Sequence, residues 1–505
     1  MRTDATSANA APPPWAGCAE THTAVVYFAG DRVAKLKKPV DLGFVDFTTR
    51  EARHTACRNE VDLNRRFAPD VYLGVGDIRD EDGEVLDHLV LMRRMPDHRR
   101  LSSLVSAGAP VDDALRDVAR MLSVWHAKAP RGPGIDRQGT RDMLRRRWTD
   151  SFAQVRALPE PVTDPVSADI DEIERLTPAY LRGRGELFDQ RVRQYRVVEG
   201  HGDLLADDVF CLDDGPRVLD CLEFDESLRS LDGLDDAAFL AMDLERLGAP
   251  ELAERFLRWY VEFSGDPAPT SLWHHYVAYR AFVRAKVAWM RSAQGAAGAA
   301  RLAARYCALT LRHLRAGAVR LILVGGLPGT GKSTLAGGLA DTLGMCVLST
   351  DRLRKDLAGL DRGEAAPASL YGPDRIAANY DAMLARARQM LSMGESVVLD
   401  ASWHAAGPRD KAARVAEAAA AELVSLQCVA DEATAFERLA ARRGDWSDAD
   451  AAVARKMAAE TEPWNGRHDL DAGASADACL AQAVGILRPT GTTVSFGRRP
   501  HMEAD

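Results

Sequence analysis

A chain of 505 residues has room for about three or four average domains, or for fewer large ones. At 46% hydrophobic and 28% charged residues it has the make-up of an ordinary soluble globular protein, and no run approaches the roughly 20 uninterrupted apolar residues that span a bilayer. The net charge of -9 argues against a dedicated nucleic-acid coat, and eight scattered cysteines without a C-x-x-C pair or zinc spacing fit a reduced, cytoplasmic compartment.

In chain order, residues 1–19 open with MRTDATSANAAPPPW, which lacks the basic region and apolar core of a secretory signal and is expected to be a disordered lead-in. Val25 to Val40 reads as two strands about a Gly-Asp turn, Glu51 to Phe67 as a helix, and Val71–Val75 and His88–Met92 as further strands. Together these describe a small strand-rich lobe. Residues 111–130, 139–157 and 164–187 read as helices, then short strands are expected at Arg196–Glu199, Val209–Leu212 and Val218–Leu222. From Asp235 to about Leu314 the apolar spacing is helical, broken at Gly265–Pro269. After Gly317 strand and helix alternate, the rhythm of a parallel sheet covered by helices. The tail, 491–505, is polar and expected to fray.

The run HGDLLADDVF begins at His201, and a further carboxylate follows at Asp220. A kinase-type site needs a carboxylate to accept the proton of the attacking hydroxyl and others to hold magnesium on ATP. On the H-x-D-x-x-x-x-N spacing Asp203 faces the hydroxyl, position 208 faces the metal, and Asp220 supplies a second metal ligand. Upstream, Lys35 and Lys37 share one strand face and either could meet the ATP phosphates; Lys35 is favoured, with Glu60 on the following helix as its partner. Two features depart from the pattern. Asp208 stands where Asn is usual, adding negative charge beside a triphosphate, and no clear Gly-rich loop lies between Thr21 and Gly30.

The stretches KLKKPVDLGFVDFTTREAR, NEVDLNRRFAPDVYLGV, HGDLLADDVF, LDCLEFDESLR and AFLAMDLERLG resemble the aminoglycoside phosphotransferase-like kinases. More closely, the chain resembles bacterial two-domain proteins in which such a domain is fused to a P-loop kinase. The resemblance implies a bilobal protein-kinase-like domain over residues 20–316, with Asp203 as base and Asp220 as metal carboxylate.

The second constellation is LILVGGLPGTGKST, a strand followed by a phosphate loop from Gly326 through Pro328, Gly329, Thr330 and Gly331 to Lys332, Ser333 and Thr334. Glycines let backbone amides close around phosphate oxygens, Lys332 neutralises β/γ charge, Ser333 reaches magnesium, and the following helix points its positive end at the anion. Asp351 ends one strand and Asp400 another; Asp400 is expected to support magnesium or orient the acceptor. Arg438, Arg442 and Arg443 have the spacing of a lid over the transferring phosphoryl group, with a solvated helix face as the plainer reading. This half, 317–490, resembles small P-loop kinases of the gluconate, shikimate, adenylylsulfate and zeta-toxin types. That resemblance implies Asp351 as general base and Arg354 as a substrate clamp.

The function expected from these parts is ATP- and magnesium-dependent phosphorylation of a small hydroxylated metabolite, with neither membrane nor nucleic acid as partner. Two other readings stay open: a regulatory ATP-binding protein whose first half senses ligand, and a kinase of sugar nucleotides or nucleic-acid ends.

Overall fold

A computed structural model describes residues 16–21, 23–41, 46–158, 162, 166–442, 446–473 and 475–487. Most of the expected lead-in, the whole expected tail and Arg443 lie outside these residues. Backbone contacts divide the chain into two compact units: residues 1–136 with 197–266, and residues 137–196 with 267–505. Both units are discontinuous in sequence, so packing cuts the chain at other places than the change of pattern near 316.

In the first unit five antiparallel strands lie in the order β1-β2-β3-β5-β4: β1 Ala16–Glu20, β2 Ala24–Ala29, β3 Arg32–Lys37, β4 Tyr72–Arg79 and β5 Val85–Arg93. The helix Arg50–Asn64 starts where the Thr49 side chain accepts the Ala52 amide, satisfying a donor that the first turn leaves open. Its Cys57 and Val61 meet Val33, Val90 and Met92 of the sheet in one buried cluster, which Phe210 and Leu219 extend. Two short antiparallel pairs follow: β6 Val197–Glu199 with β9 Ser230–Asp232, and β7 Val209–Leu212 with β8 Gly215–Val218. The expected strand Val218–Leu222 is not formed. The ladder stops at Val218, and Asp220 takes a left-handed backbone, φ 62°, that no strand accommodates. Every residue from Gly233 to Leu244 of the helix Gly233–Arg246 is buried, carboxylates included.

The second unit holds a five-stranded parallel sheet in the order β11-β12-β10-β13-β14: β10 Arg320–Gly325, β11 Cys346–Ser349, β12 Val397–Asp400, β13 Glu422–Val429 and β14 His468–Asp471. Ile322, Val324, Val398 and Leu426 pack on the helices Lys332–Leu343 and Ala476–Leu487. Their strand neighbours Leu321, Leu323, Val397 and Leu399 are equally buried, so both faces are covered, as strands of a parallel sheet require.

The same unit contains the helices Arg141–Arg156, Val166–Gly183, Gly185–Arg193, Thr270–Ala293 and Ala299–Ala316. Trp148, Phe152 and Phe282 form their aromatic centre. This layer is welded to the sheet at two turns. Arg184, fully buried, donates to the Ala419 carbonyl at 2.6 Å, and Gly183 sits so close that a Cβ there would lie 2.1 Å from the same oxygen. Ser271 donates to the Gly394 carbonyl at 2.7 Å. Among the described residues no helix is long and apolar enough to cross a membrane.

Candidate active sites

In the first unit the HGD loop is held from behind by one helix. The Asp236 carboxylate accepts the amides of His201 at 2.7 Å and Gly202 at 2.9 Å, and Asp243, seven residues on and on the same helix face, accepts the Ala206 amide at 3.0 Å. Burial works against a charge on Asp236, but the imidazole of His126 at 3.0 Å and the amides of the loop outweigh it and hold the carboxyl below its usual range. His126 also meets the Tyr260 hydroxyl at 2.9 Å, which makes it a packed structural histidine. Gly200 has no room for a side chain, since its Cβ would fall 2.5 Å from Asp236.

Asp220 is fixed by its own and the next amide: these donate to the Tyr72 hydroxyl at 3.1 Å and to the Asn64 side chain at 2.8 Å. Its carboxylate pairs with Lys35 at 2.9 Å. Lys35 holds Asp220 below the usual carboxylate range. Asp208 behaves oppositely: burial, and then the charges of Asp220, Asp203 and Asp207, push it well above that range. Asp208 therefore lies near enough to Asp220 and Asp203 to feel both of their charges.

Both expected lysines meet the expected glutamate. Glu60 pairs through one oxygen with Lys35 at 2.9 Å and through the other with Lys37 at 2.6 Å. Lys37 in turn pairs with Glu223, a residue that sequence reasoning missed although it stands within LDCLEFDESLR. Asn64, Tyr72, Asp236 and Asp243 were missed as well.

In the second unit the phosphate loop leaves β10 with Gly326, Gly329 and Gly331 all at positive φ (143°, 86° and 87°). A Cβ at Gly326 would lie 2.5 Å from Thr330 Oγ1, and one at Gly329 would lie 2.4 Å from the Ala435 carbonyl. Thr330 is buried and turns its hydroxyl inward to the Leu327 carbonyl, 2.8 Å. Lys332, Ser333 and Thr334 open the helix Lys332–Leu343.

Asp400 ends β12 opposite Ser349 of β11. Burial raises its pKa, while Lys332 and Ser333 beside it pull the other way. Its Oδ1 is buried and has no hydrogen-bond partner. An orphaned carboxylate oxygen next to a phosphate-loop hydroxyl fits a magnesium ion. Among the described residues no three His, Cys, Asp or Glu side chains are grouped to hold a metal by themselves, so phosphate oxygens and water would complete the shell.

Asp351 lies in the first turn of the helix Thr350–Ala358, paired with Arg354 at 2.8 Å. The Arg354 guanidinium stacks on Tyr371, 4.6 Å from the ring centre. Of the arginines expected to form a lid, Arg438 sits on the helix Glu432–Ala441 with its guanidinium 3.8 Å from where a Gly331 Cβ would be. Arg442 ends that helix and donates to the Ala449 carbonyl. A cavity of about 360 Å³ opens beside Gly326 and Leu327, lined further by Ser402, His404, Glu462 and Trp464. Ser402 meets His404 Nδ1 at 2.9 Å and the Tyr380 hydroxyl at 3.4 Å.

The first unit brings together a buried lysine–glutamate cluster and the HGD loop, and the second carries a phosphate loop of the P-loop type. The AAA domain family matches residues 321–464. The chain belongs to the family of the uncharacterized protein Rv2004c of Mycobacterium tuberculosis, to which it is 43% identical over 480 residues, covering 94% of this chain and 96% of that one. The uncharacterized protein Mb2027c of Mycobacterium bovis matches to the same extent. Among solved structures, a choline/ethanolamine kinase family protein from Mesorhizobium loti is similar at 15% identity over 61% of this chain and 94% of that one, with a TM-score of 0.37. A gluconokinase from Sinorhizobium meliloti is similar at 21% identity over 33% of this chain and 91% of that one, with a TM-score of 0.26.

Proposed function

We propose that the protein is an ATP- and magnesium-dependent phosphotransferase acting on a small hydroxylated metabolite, with the P-loop unit as its principal active site. The observation that carries this reading is the buried, unpartnered Oδ1 of Asp400 beside Lys332 and Ser333, one strand away from Asp351. Loop amides and the positive end of the helix Lys332–Leu343 bind the phosphates, and Lys332 neutralises the developing charge. Ser333 and Asp400 hold magnesium, whose contribution is to offset charge on the phosphates. Asp351 takes the proton of the acceptor hydroxyl, and Arg354 keeps its carboxylate in place. A cytoplasmic location fits the eight free cysteines.

The first unit acts on a second hydroxyl through Asp203, or binds nucleotide without turnover. Asp208 in the place of the usual Asn and the absence of a clear Gly-rich loop between Thr21 and Gly30 favour the latter. The test is a mass-shift screen of a metabolite extract with ATP, extended to sugars, sugar acids, UDP-sugars and 5′-hydroxyl oligonucleotides. A product formed by wild type and lost in Lys332→Ala supports the reading. A product that survives Lys332→Ala and vanishes in Asp203→Ala moves the activity to the first unit.

A further inference from the structure

Two lysines on one strand share a single buried carboxylate in the first unit, and their surroundings differ. Lys35 is 17% exposed and its second partner, Asp220, is 55% exposed. Lys37 and Glu60 are sealed at 0%, and Glu223, the second partner of Lys37, is 11% exposed. Phe47 closes over the Lys37 ammonium at 5.6 Å. One lysine therefore faces ligand space and the other does not.

The charges explain why both are needed. A nucleotide phosphate recruits the exposed lysine, and magnesium recruits Asp220, so ligand binding draws apart the Lys35–Asp220 pair. Glu60 is then left deep in the protein with one of its two cations turned toward the phosphates. A buried carboxylate without a cation is strongly unfavourable. Lys37 meets that demand because it cannot leave: it is enclosed, and Glu223 balances the charge it brings.

We propose that Lys37 and Glu223 are a positioning pair that holds Glu60 charged and aimed, so that Lys35 can exchange Asp220 for the phosphates of MgATP. The proposal rests on the reading that the first unit binds nucleotide. Lys37 itself does not touch the nucleotide. Glu223 is brought to Lys37 from 186 residues away.

The test uses the full chain carrying Lys332→Ala and Ser333→Ala to silence the P-loop, with MgATP titrated by calorimetry and thermal stability read alongside. The remaining binding should be lost in Lys35→Met, which assigns it to the first unit. Lys37→Met should weaken MgATP binding by about tenfold or more while also lowering stability. The deciding variant is the double change Lys37→Met with Glu223→Met, which removes both charges and refills the volume. It should recover thermal stability yet keep the weakened MgATP affinity. If it regains full affinity, or if Lys37→Met binds as tightly as its parent, the pair is structural only and the proposal is overturned. No MgATP binding in the silenced parent, or binding that Lys35→Met leaves intact, overturns the reading of the first unit and the proposal with it.

Discussion

Arg354 and Asp351, one helical turn apart, are ion-paired at 2.8 Å, so the expected clamp and the expected base hold each other. Tyr371 beneath the guanidinium donates to Asp448 at 2.7 Å, which ties the pair to a neighbouring segment. Arg354→Gln should therefore misplace the base and lower kcat by about 10–100-fold with a smaller change in KM. Asp351→Asn should cost about 10²–10⁴-fold. Steady-state kinetics on the acceptor found by screening checks both, and equal effects on KM alone would assign Arg354 to binding.

Asp400 offers a separate readout. Its carboxyl lies above the usual range because burial opposes the charge. A carboxyl whose folded pKa is raised contributes stability at low pH that is lost as pH rises through that value, so without magnesium Asp400 works against folding above the ordinary carboxyl range. Asp400→Asn should leave the melting temperature in EDTA unchanged or higher, and raise the magnesium concentration for half-maximal activity by about tenfold or more. An unchanged magnesium requirement would remove Asp400 from the metal site.

At Asp208 the same sign applies, since burial is again the main cause and Asp220, Asp203 and Asp207 add to it. Asp208→Asn should stabilise the metal-free protein by on the order of 1 kcal/mol at pH 7–8. The gain should shrink as pH falls toward about 4, where the unfolded carboxyl also takes up its proton. Melting curves between pH 5 and 8 measure it, and a gain that grows on acidification contradicts the account.

Gly329 has φ 86°, and a Cβ there would sit 2.4 Å from the Ala435 carbonyl. Backbone cannot yield as a flexible side chain can, so Gly329→Ala should push away the helix Glu432–Ala441 that carries Arg438. The expected cost is about 1–3 kcal/mol of stability, with MgATP affinity at the P-loop reduced as well. Wild-type affinity in this variant would show that Arg438 acts without that helix being held to the loop.

The weld at Gly183 and Arg184 predicts that residues 317–487 expressed alone will not fold stably. Removing the helical layer exposes the Ala419 turn and strips Gly394 of its Ser271 hydrogen bond. Gly183→Ala in the full chain should likewise lower the melting temperature by several degrees, because no flexible atom can give way at 2.1 Å. A sharp, cooperative transition for 317–487 would show the layer to be dispensable.

What could be read from sequence was local. The strand-loop-helix around Lys332 and the neighbourhood of Glu60 and a β3 lysine follow from local pattern, and the structure shows the helix opening at Lys332 and the Lys35–Glu60 ion pair. Glu223 was hidden because its meaning depends on Lys37, 186 residues away. Asp236 and Asp243 looked like ordinary polar residues of a helix, and only their complete burial reveals them as supports of the HGD loop. The strand expected at Val218–Leu222 failed because Tyr72 and Asn64 capture the amides of Asp220 and Cys221, which frees the chain from the ladder. Apolar periodicity finds helices such as Val166–Gly183, but it carries no information on which sheet they cover.

The contact between Arg184 and Ala419 also sets a schedule for synthesis. Arg184 leaves the ribosome 235 residues ahead of its partner. At about 5–20 residues per second that is a wait of roughly ten to fifty seconds. Throughout it, a helix end that is wholly enclosed in the folded protein stands open.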